Sequence, residues 1–273
     1  MIARKLGIQL VPSNHDEIND LLKSDFDRAF NSEYGQHASA SLWTQYRMAT
    51  PIGRLVSEIF YNGKLKSSGR VISDQYMQSA NFLYSTVTWV DTSDSGCDAY
   101  HTEVDKNRGK IRNKEEAKSI IIMLRQMAED IDLIAYLNSV RKTDAAIGVI
   151  CMYAEQKRYL HQLFNQNAWP EGFKDLVNID TVDSYQGKEN RIIIVSITRS
   201  DKSNSPGFMV MPNRINVALS RAMDRLILVG NKNVWCAQNK ELPFGKVMKH
   251  MEEQGKDEDY RFILSRSLKG EMV

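Results

Sequence analysis

Three short runs in the second half of the chain are apolar almost without interruption, "AIGVICMY" (146–153), "RIIIVSIT" (191–198) and "RLILVGN" (225–231), and a fourth, "LVNIDTV" (176–182), also reads as a strand. A strand with one wet face alternates apolar and polar residues. A strand that carries Ile, Val and Leu at consecutive positions is covered on both faces. Helical patterns separate the runs. "AEQKRYLHQLF" (154–164) sets Tyr159, Leu160, Leu163 and Phe164 on one side, and "PNRINVALSRAM" (212–223) reads as a second helix. Strand–helix–strand order with doubly covered strands predicts an α/β fold, a parallel sheet flanked by helices. Ligands of such sheets sit beyond the carboxyl ends of the strands. The stretch "TVDSYQGKEN" (181–190) is expected at such an end.

The first half is less regular. "RNKEEAKSIIIMLRQM" (112–127) predicts a helix with Asn113 as N-cap and a buried stripe of Ala117, Ile120, Ile121, Leu124 and Met127. The polar segment 91–112 reads as a loop or insertion. Residues 1–45 hold no comparable strand and read as the tail of, or linker from, a neighbouring domain. The main domain is expected over 46–240, and a C-terminal helical extension over 241–273.

Three cysteines without a C-x-x-C pair, and five scattered histidines, fit a reducing compartment and predict no metal site. No apolar run reaches membrane-spanning length, so a cytoplasmic protein is expected with no membrane partner. A net charge of +2 leaves any nucleic-acid surface to a local patch. "KLKSSGR" (64–70) and "DKNRGKIRNK" (105–114) are basic enough to touch phosphates, or are solvated loops. No G-x-x-x-x-G-K-[ST] loop is present. "HDEI" (15–18) superficially has the look of a magnesium-binding Asp-Glu pair, but the run before it is short and broken by Pro12, and the reading preferred is Asn14 or Asp16 as a helix cap.

Three polar clusters stand out. In "SYQGKEN", Gln186, Gly187 and Glu189 precede an apolar strand. A glycine there permits a sharp turn, and a carboxylate can accept from ribose hydroxyls; a solvated turn is the plainer reading. In "NRINVALSRAM", Ile215, Leu219 and Ala222 form one helical face, and Arg214, Ala218 and Arg221 another. Two guanidinium groups on one face suit a polyphosphate or make a basic surface. In "QYRMATPIGRL", Tyr46 and Arg47 precede a helix carrying Ile52, Leu55, Val56 and Ile59. They are placed to stack on a base and reach a phosphate, or to pack as surface residues.

In order along the chain, "QYRM…P…FYNGKL", "IGVICMYAEQ", "TVDSYQGKENRIIIVS" and "NRINVALSRAMDRLILVGN" resemble the motifs of superfamily 1B helicases. The type is that of the nonsense-mediated-decay RNA helicase and the DNA-replication nuclease-helicases. The resemblance spans about residues 40 to 235. It implies the second RecA-like domain of a two-domain motor of the P-loop NTPase type. ATP with Mg²⁺ would bind between this domain and a first RecA-like domain, and single-stranded DNA or RNA would run across both, in the 5′ to 3′ direction. By resemblance Tyr46 packs on adenine, Arg47 and Arg221 act catalytically at the γ-phosphate, and Arg214 belongs to the nucleotide side. Glu189 holds the ribose, and Gln186 and Gly187 link nucleotide to track. Thr181, Tyr153 and Gln156 would contact the strand. Where many relatives read Thr-Pro-Tyr, this chain has Cys151-Met152-Tyr153, which removes the threonine contact.

The P-loop and the Asp-Glu pair of that family belong to the first domain. The chain is therefore expected to be a fragment or a truncated product that does not hydrolyse ATP alone. A non-catalytic RecA-like binding module, and an unrelated α/β small-molecule enzyme, remain the alternatives.

Overall fold

The computed structural model describes residues 25–105, 110–141, 144–255 and 257–269. The chain divides into two units, Met1–Leu42 and Trp43–Val273. In the first, helices Asp25–Asn31 and Glu33–Ala38 follow one another, the second capped by Ser32, whose hydroxyl accepts from the Gly35 N–H at 3.0 Å. The "HDEI" stretch and its alternative caps Asn14 and Asp16 lie outside the described residues.

The second unit is built on six strands: β1 (Val87–Asp91), β2 (Ile147–Cys151), β3 (Val177–Thr181), β4 (Asn190–Ser196), β5 (Ala222–Gly230) and β6 (Tyr260–Leu264). All pair in parallel, in the spatial order β6-β1-β5-β4-β2-β3. Its helices of eight residues or more are α1 (Thr50–Phe60), α2 (Lys114–Glu129), α3 (Ile131–Val140), α4 (Ala154–Gln166), α5 (Pro212–Leu219) and α6 (Pro243–Glu253). Ile193, Val195, Leu226 and Leu228 enter one core with α1, α5 and α6. Ile192, Ile194, Ile227 and Val229 enter the other with α2, α3 and α4. Successive residues of one strand thus face different cores, which is why the apolar runs are unbroken. Asn113 caps α2 as expected, its Oδ1 accepting from the Glu116 N–H at 3.0 Å, and the predicted stripe is buried.

Three local expectations change. The segment 91–112 is not only loop: Thr102–Asp105 pairs antiparallel with Lys110–Arg112. The helix expected over 212–223 stops at Leu219, where the Ser220 N–H closes onto the Asn216 carbonyl and β5 begins at Ala222. The described part of the extension over 241–273 is helical in α6 and in the 3-10 turn Ser265–Lys269, but between them β6 joins the sheet beside β1. As an edge strand it buries Tyr260 and Ile263 but exposes Arg261, so its sequence lacks the apolar run of its neighbours. No helix among the described residues is long and apolar enough to cross a membrane.

Register fixes the two edges of the sheet. Cys151 lies level with Thr181 and Ser196 at the carboxyl edge; Asn190 and Ala222 lie level at the amino edge. Residues 182–189 must therefore return from the end of β3 to the start of β4. They pass β2 at Gly148, where the Tyr185 hydroxyl donates to Asn190 Oδ1 at 2.9 Å. A Cβ on residue 148 would lie 2.3 Å from that hydroxyl oxygen, so only glycine leaves the passage open.

Candidate functional site

The stretch 181–190 starts at the carboxyl edge, but its charged end does not stay there. Glu189 immediately precedes β4 and Arg221 immediately precedes β5, both at the amino edge. The carboxyl-end expectation is corrected for these residues because a parallel strand can begin only where its predecessor's connection has come back.

Arg47 reaches the same edge from a third segment. The Ala49 N–H donates to the Met223 carbonyl at 2.7 Å, docking the segment on the start of β5. Arg47 Nε donates to Glu189 Oε2 and Nη1 to the Ser220 carbonyl at 3.2 Å. Arg221 donates through Nε to the Val217 carbonyl (3.1 Å), through Nη1 to the Lys188 carbonyl (3.3 Å) and through Nη2 to Ser220 Oγ (3.2 Å). These three acceptors are all neutral. Burial, then the neighbouring Arg47, holds the Arg221 guanidinium below the usual arginine range, with Glu189 opposing. A half-buried cation beside a second cation has charge that an anion could neutralise.

Tyr46, next to Arg47, is 74% exposed and leaves its ring free. Gln186 and Gly187 form an exposed turn before Glu189, with Gly187 at φ +88°, the left-handed region that favours glycine. Nothing lies within 4 Å of a Cβ built there, so conformation rather than crowding selects the residue.

Other expected residues sit elsewhere. Arg214 does not share a helical face with Arg221, because α5 has ended and Ala218 is buried. Its Nη2 donates to Asp183 at 2.7 Å, and its guanidinium lies 5.1 Å from the Phe208 ring centroid. Phe208 packs on Tyr153 at 4.5 Å. Thr181 ends β3 at the carboxyl edge, half-exposed, its hydroxyl 3.2 Å from Ser184 Oγ. Gln156 is fully buried. Its Oε1 accepts from the Asn113 N–H at 2.8 Å, and its Nε2 donates to the Asn113 carbonyl and Ser196 Oγ, both at 3.0 Å. With its amide engaged inward, it has no group to offer a nucleic-acid strand in this structure.

Two residues carry the architecture of these edges without having been singled out. Glu116, fully buried, accepts from Ser196 Oγ at 2.7 Å and from the Thr198 N–H at 2.8 Å. Burial pushes its carboxyl up to about 8, against those hydrogen bonds. As an acid in the first turn of a helix it has the sequence signature of a dipole partner, and nothing in the sequence marks it as inward. Gln45, beside Tyr46, is the other.

The fold is a parallel α/β sheet of RecA type whose amino edge gathers two arginines and a carboxylate. Residues 21–233 match the AAA_12 family, described as an AAA domain, and the chain belongs to that family. The resemblance to the C-terminal domain of superfamily 1B helicases is upheld by that match and by the relatives. The chain is 26% identical over 242 residues to an uncharacterized ATP-dependent helicase of Methanocaldococcus jannaschii (83% of this chain, 31% of the relative). It is 27% identical to a regulator of nonsense transcripts 1 homolog of Neurospora crassa (74% and 17%). It is 26% identical to the human DNA replication ATP-dependent helicase/nuclease DNA2 (72% and 19%). The chain thus spans less than a third of the length of each of these relatives. A crystal structure of the C-terminal domain of a possible DNA helicase from Lactobacillus plantarum WCFS1 matches 68% of this chain at 14% identity and a TM-score of 0.34, too distant to bear on the site.

Proposed function

We propose that this chain is the C-terminal motor domain of an ATP-dependent helicase, taking a nucleoside triphosphate at the amino edge of its sheet against a first RecA-like domain. The observation that carries this reading is Arg221: a half-buried guanidinium, bonded only to neutral oxygens, beside the Arg47–Glu189 pair. The donor set fits a triphosphate with an adenosine end. Arg221 and Arg47 would hold phosphate oxygens, Glu189 the ribose hydroxyls and exposed Tyr46 the base. Among the described residues no cluster of three or more His, Cys, Asp or Glu is suited to a metal ion. The Mg²⁺ that accompanies such a nucleotide would be held from the other domain.

Bound ATP supplies the phosphoryl group that passes to water. Arg47 and Arg221 stabilise the negative charge that spreads over its oxygens; a guanidinium so placed is worth about 10³ to 10⁵ in rate in comparable enzymes. Thr181 and Tyr153, at the opposite edge, lie where a single strand of DNA or RNA would run. The crossover 182–189 joins them to Glu189, a direct mechanical link between track and nucleotide. Without a P-loop in this sequence, the chain alone is expected to be inactive as an ATPase.

The test is titration of the purified chain with ATP and with inorganic triphosphate by calorimetry or NMR. Arg221→Ala should weaken both by tenfold or more. Arg221→Lys should stay impaired, because the planar fork is lost while the charge is kept. Equal affinity in wild type and both variants would show that Arg221 is not a phosphate ligand.

A further inference from the structure

Tyr46 and Arg47 lie in a turn between the short strand Thr44–Gln45 and α1, and that turn has no helix or sheet of its own to hold it. Besides the Ala49–Met223 and Arg47–Ser220 bonds at its far side, one side chain holds it. Gln45 Oε1 accepts from two consecutive backbone groups, the Arg47 N–H at 2.9 Å and the Met48 N–H at 2.7 Å. Gln45 Nε2 donates to the Met48 carbonyl at 3.0 Å and to Ser67 Oγ at 2.9 Å. The amide thus uses both acceptor positions and both donors, its full capacity. The assignment is unambiguous: a flipped amide would set its oxygen against the Met48 carbonyl.

No other side chain fits the four bonds. Glutamate keeps the acceptors but loses both donors and sets a charge against a carbonyl oxygen. Asparagine is a methylene too short, and alanine frees the turn. The surroundings are built to the same end. Ser67, from the basic stretch 64–70, lies opposite Gln45 in a parallel pair with the strand Lys66–Ser67. Gly53, in the first turn of α1, leaves the room: a Cβ there would lie 2.1 Å from Ser67 Oγ and 2.8 Å from Gln45 Nε2.

We infer that Gln45 is the positioning residue of the nucleotide site, fixing the backbone of residues 46–48 so that Tyr46 projects into solvent while Arg47 is aimed at Glu189. That Gln45 orders the turn stands on the hydrogen bonds alone; that the turn serves nucleotide binding rests on the function proposed above.

The experiment separates the two. The first readout needs no ligand: the Arg47 Nε–H resonance in ¹⁵N NMR of the full chain, assigned by its loss in Arg47→Lys. In wild type it should sit away from the free-arginine position, and Glu189→Gln should return it there. Gln45→Ala should do the same, and so should Gly53→Ala, which displaces the amide without altering its chemistry. Gly53→Ala in a helix otherwise favours folding, so a shifted resonance in a folded protein excludes simple unfolding. An Arg47 resonance unchanged in both variants overturns the inference.

The second readout is binding of adenosine and of pyrophosphate, measured separately. Tyr46→Ala should weaken adenosine alone and Arg47→Ala pyrophosphate alone, whereas Gln45→Ala should weaken both several-fold. Loss of only one ligand in Gln45→Ala also overturns it. If the resonance moves but wild type binds neither probe, the ordering of the turn stands and the nucleotide reading falls.

Discussion

The amino and carboxyl edges of the sheet use the same kinds of residue in opposite ways. At the amino edge, Arg47, Glu189 and Arg221 are partly exposed to solvent. At the carboxyl edge, Asn113, Glu116, Gln156, Ser196 and Thr198 are buried and bonded to one another. A polar side chain in a motif is therefore not evidence of a ligand contact. The sheet edge it reaches, and whether its partners are already inside, decide that.

The contrast breaks most clearly at Gln156. Gln156→Ala would strand the Asn113 N–H in a dry interior and take one hydrogen bond each from the Asn113 carbonyl and the Ser196 hydroxyl, which keep Ala117 and Glu116, at a cost of about 3 kcal/mol. Urea unfolding should show the loss as a lower midpoint. A change under about 0.5 kcal/mol would mean that water reaches the network. The passage between the edges comes next. Gly148→Ala forces a methyl group against the Tyr185 hydroxyl and should cost about 1–3 kcal/mol by overpacking. It should also displace residues 182–189, visible as faster amide exchange there.

Acidity sharpens the comparison. The folded-state pKa of Glu116, about 8, lies above its ordinary value of 4.5. The folded state binds this proton more tightly than the unfolded one. The stabilisation is thus complete below about pH 4.5 and is lost as pH rises through 8. Wild type should lose thermal stability progressively between about pH 4.5 and pH 8 and level off above it, and Glu116→Gln should flatten that slope. A slope shared by both proteins would place the titration elsewhere. The smallest stability effect belongs to the amino edge. Arg221→Ala should change unfolding free energy by no more than about 1 kcal/mol, because its hydrogen bonds are half-exposed and go to neutral acceptors. A large loss would make Arg221 a structural residue.

Much of this was legible in the sequence. Strands buried on both faces write themselves as apolar runs, and β2, β4 and most of β5 fall where such runs predict them; β3, at the sheet edge with only Ile179 buried, also falls where a strand was expected. The capped helix with its stripe from Ala117 to Met127 is equally direct. What could not be read depends on register. Gln156 and Gln186 are both polar residues in recognised motifs, yet one is buried beneath Ser196 and the other lies exposed in a turn. Arg214 and Arg221, seven apart, have the spacing of a helical face, but the helix ends between them. β6 was hidden because an edge strand is only partly covered: it buries Tyr260 and Ile263 and exposes Arg261 and Leu264. Gln45 opens the quoted "QYRM" motif, but its role gives no signal, since four hydrogen bonds from one amide leave no mark on composition or periodicity.

The strand order also has a consequence for the order of events during synthesis. β1 is buried along its whole length, and both of its neighbours, β5 and β6, leave the ribosome about 130 residues or more after it. At about 5–20 residues per second, that is a wait on the order of ten seconds. Val87, Trp89 and Val90 meanwhile have no strand to pair with. The nascent chain therefore offers an extended apolar segment for much of its translation, and a chaperone that holds such segments has its opportunity there.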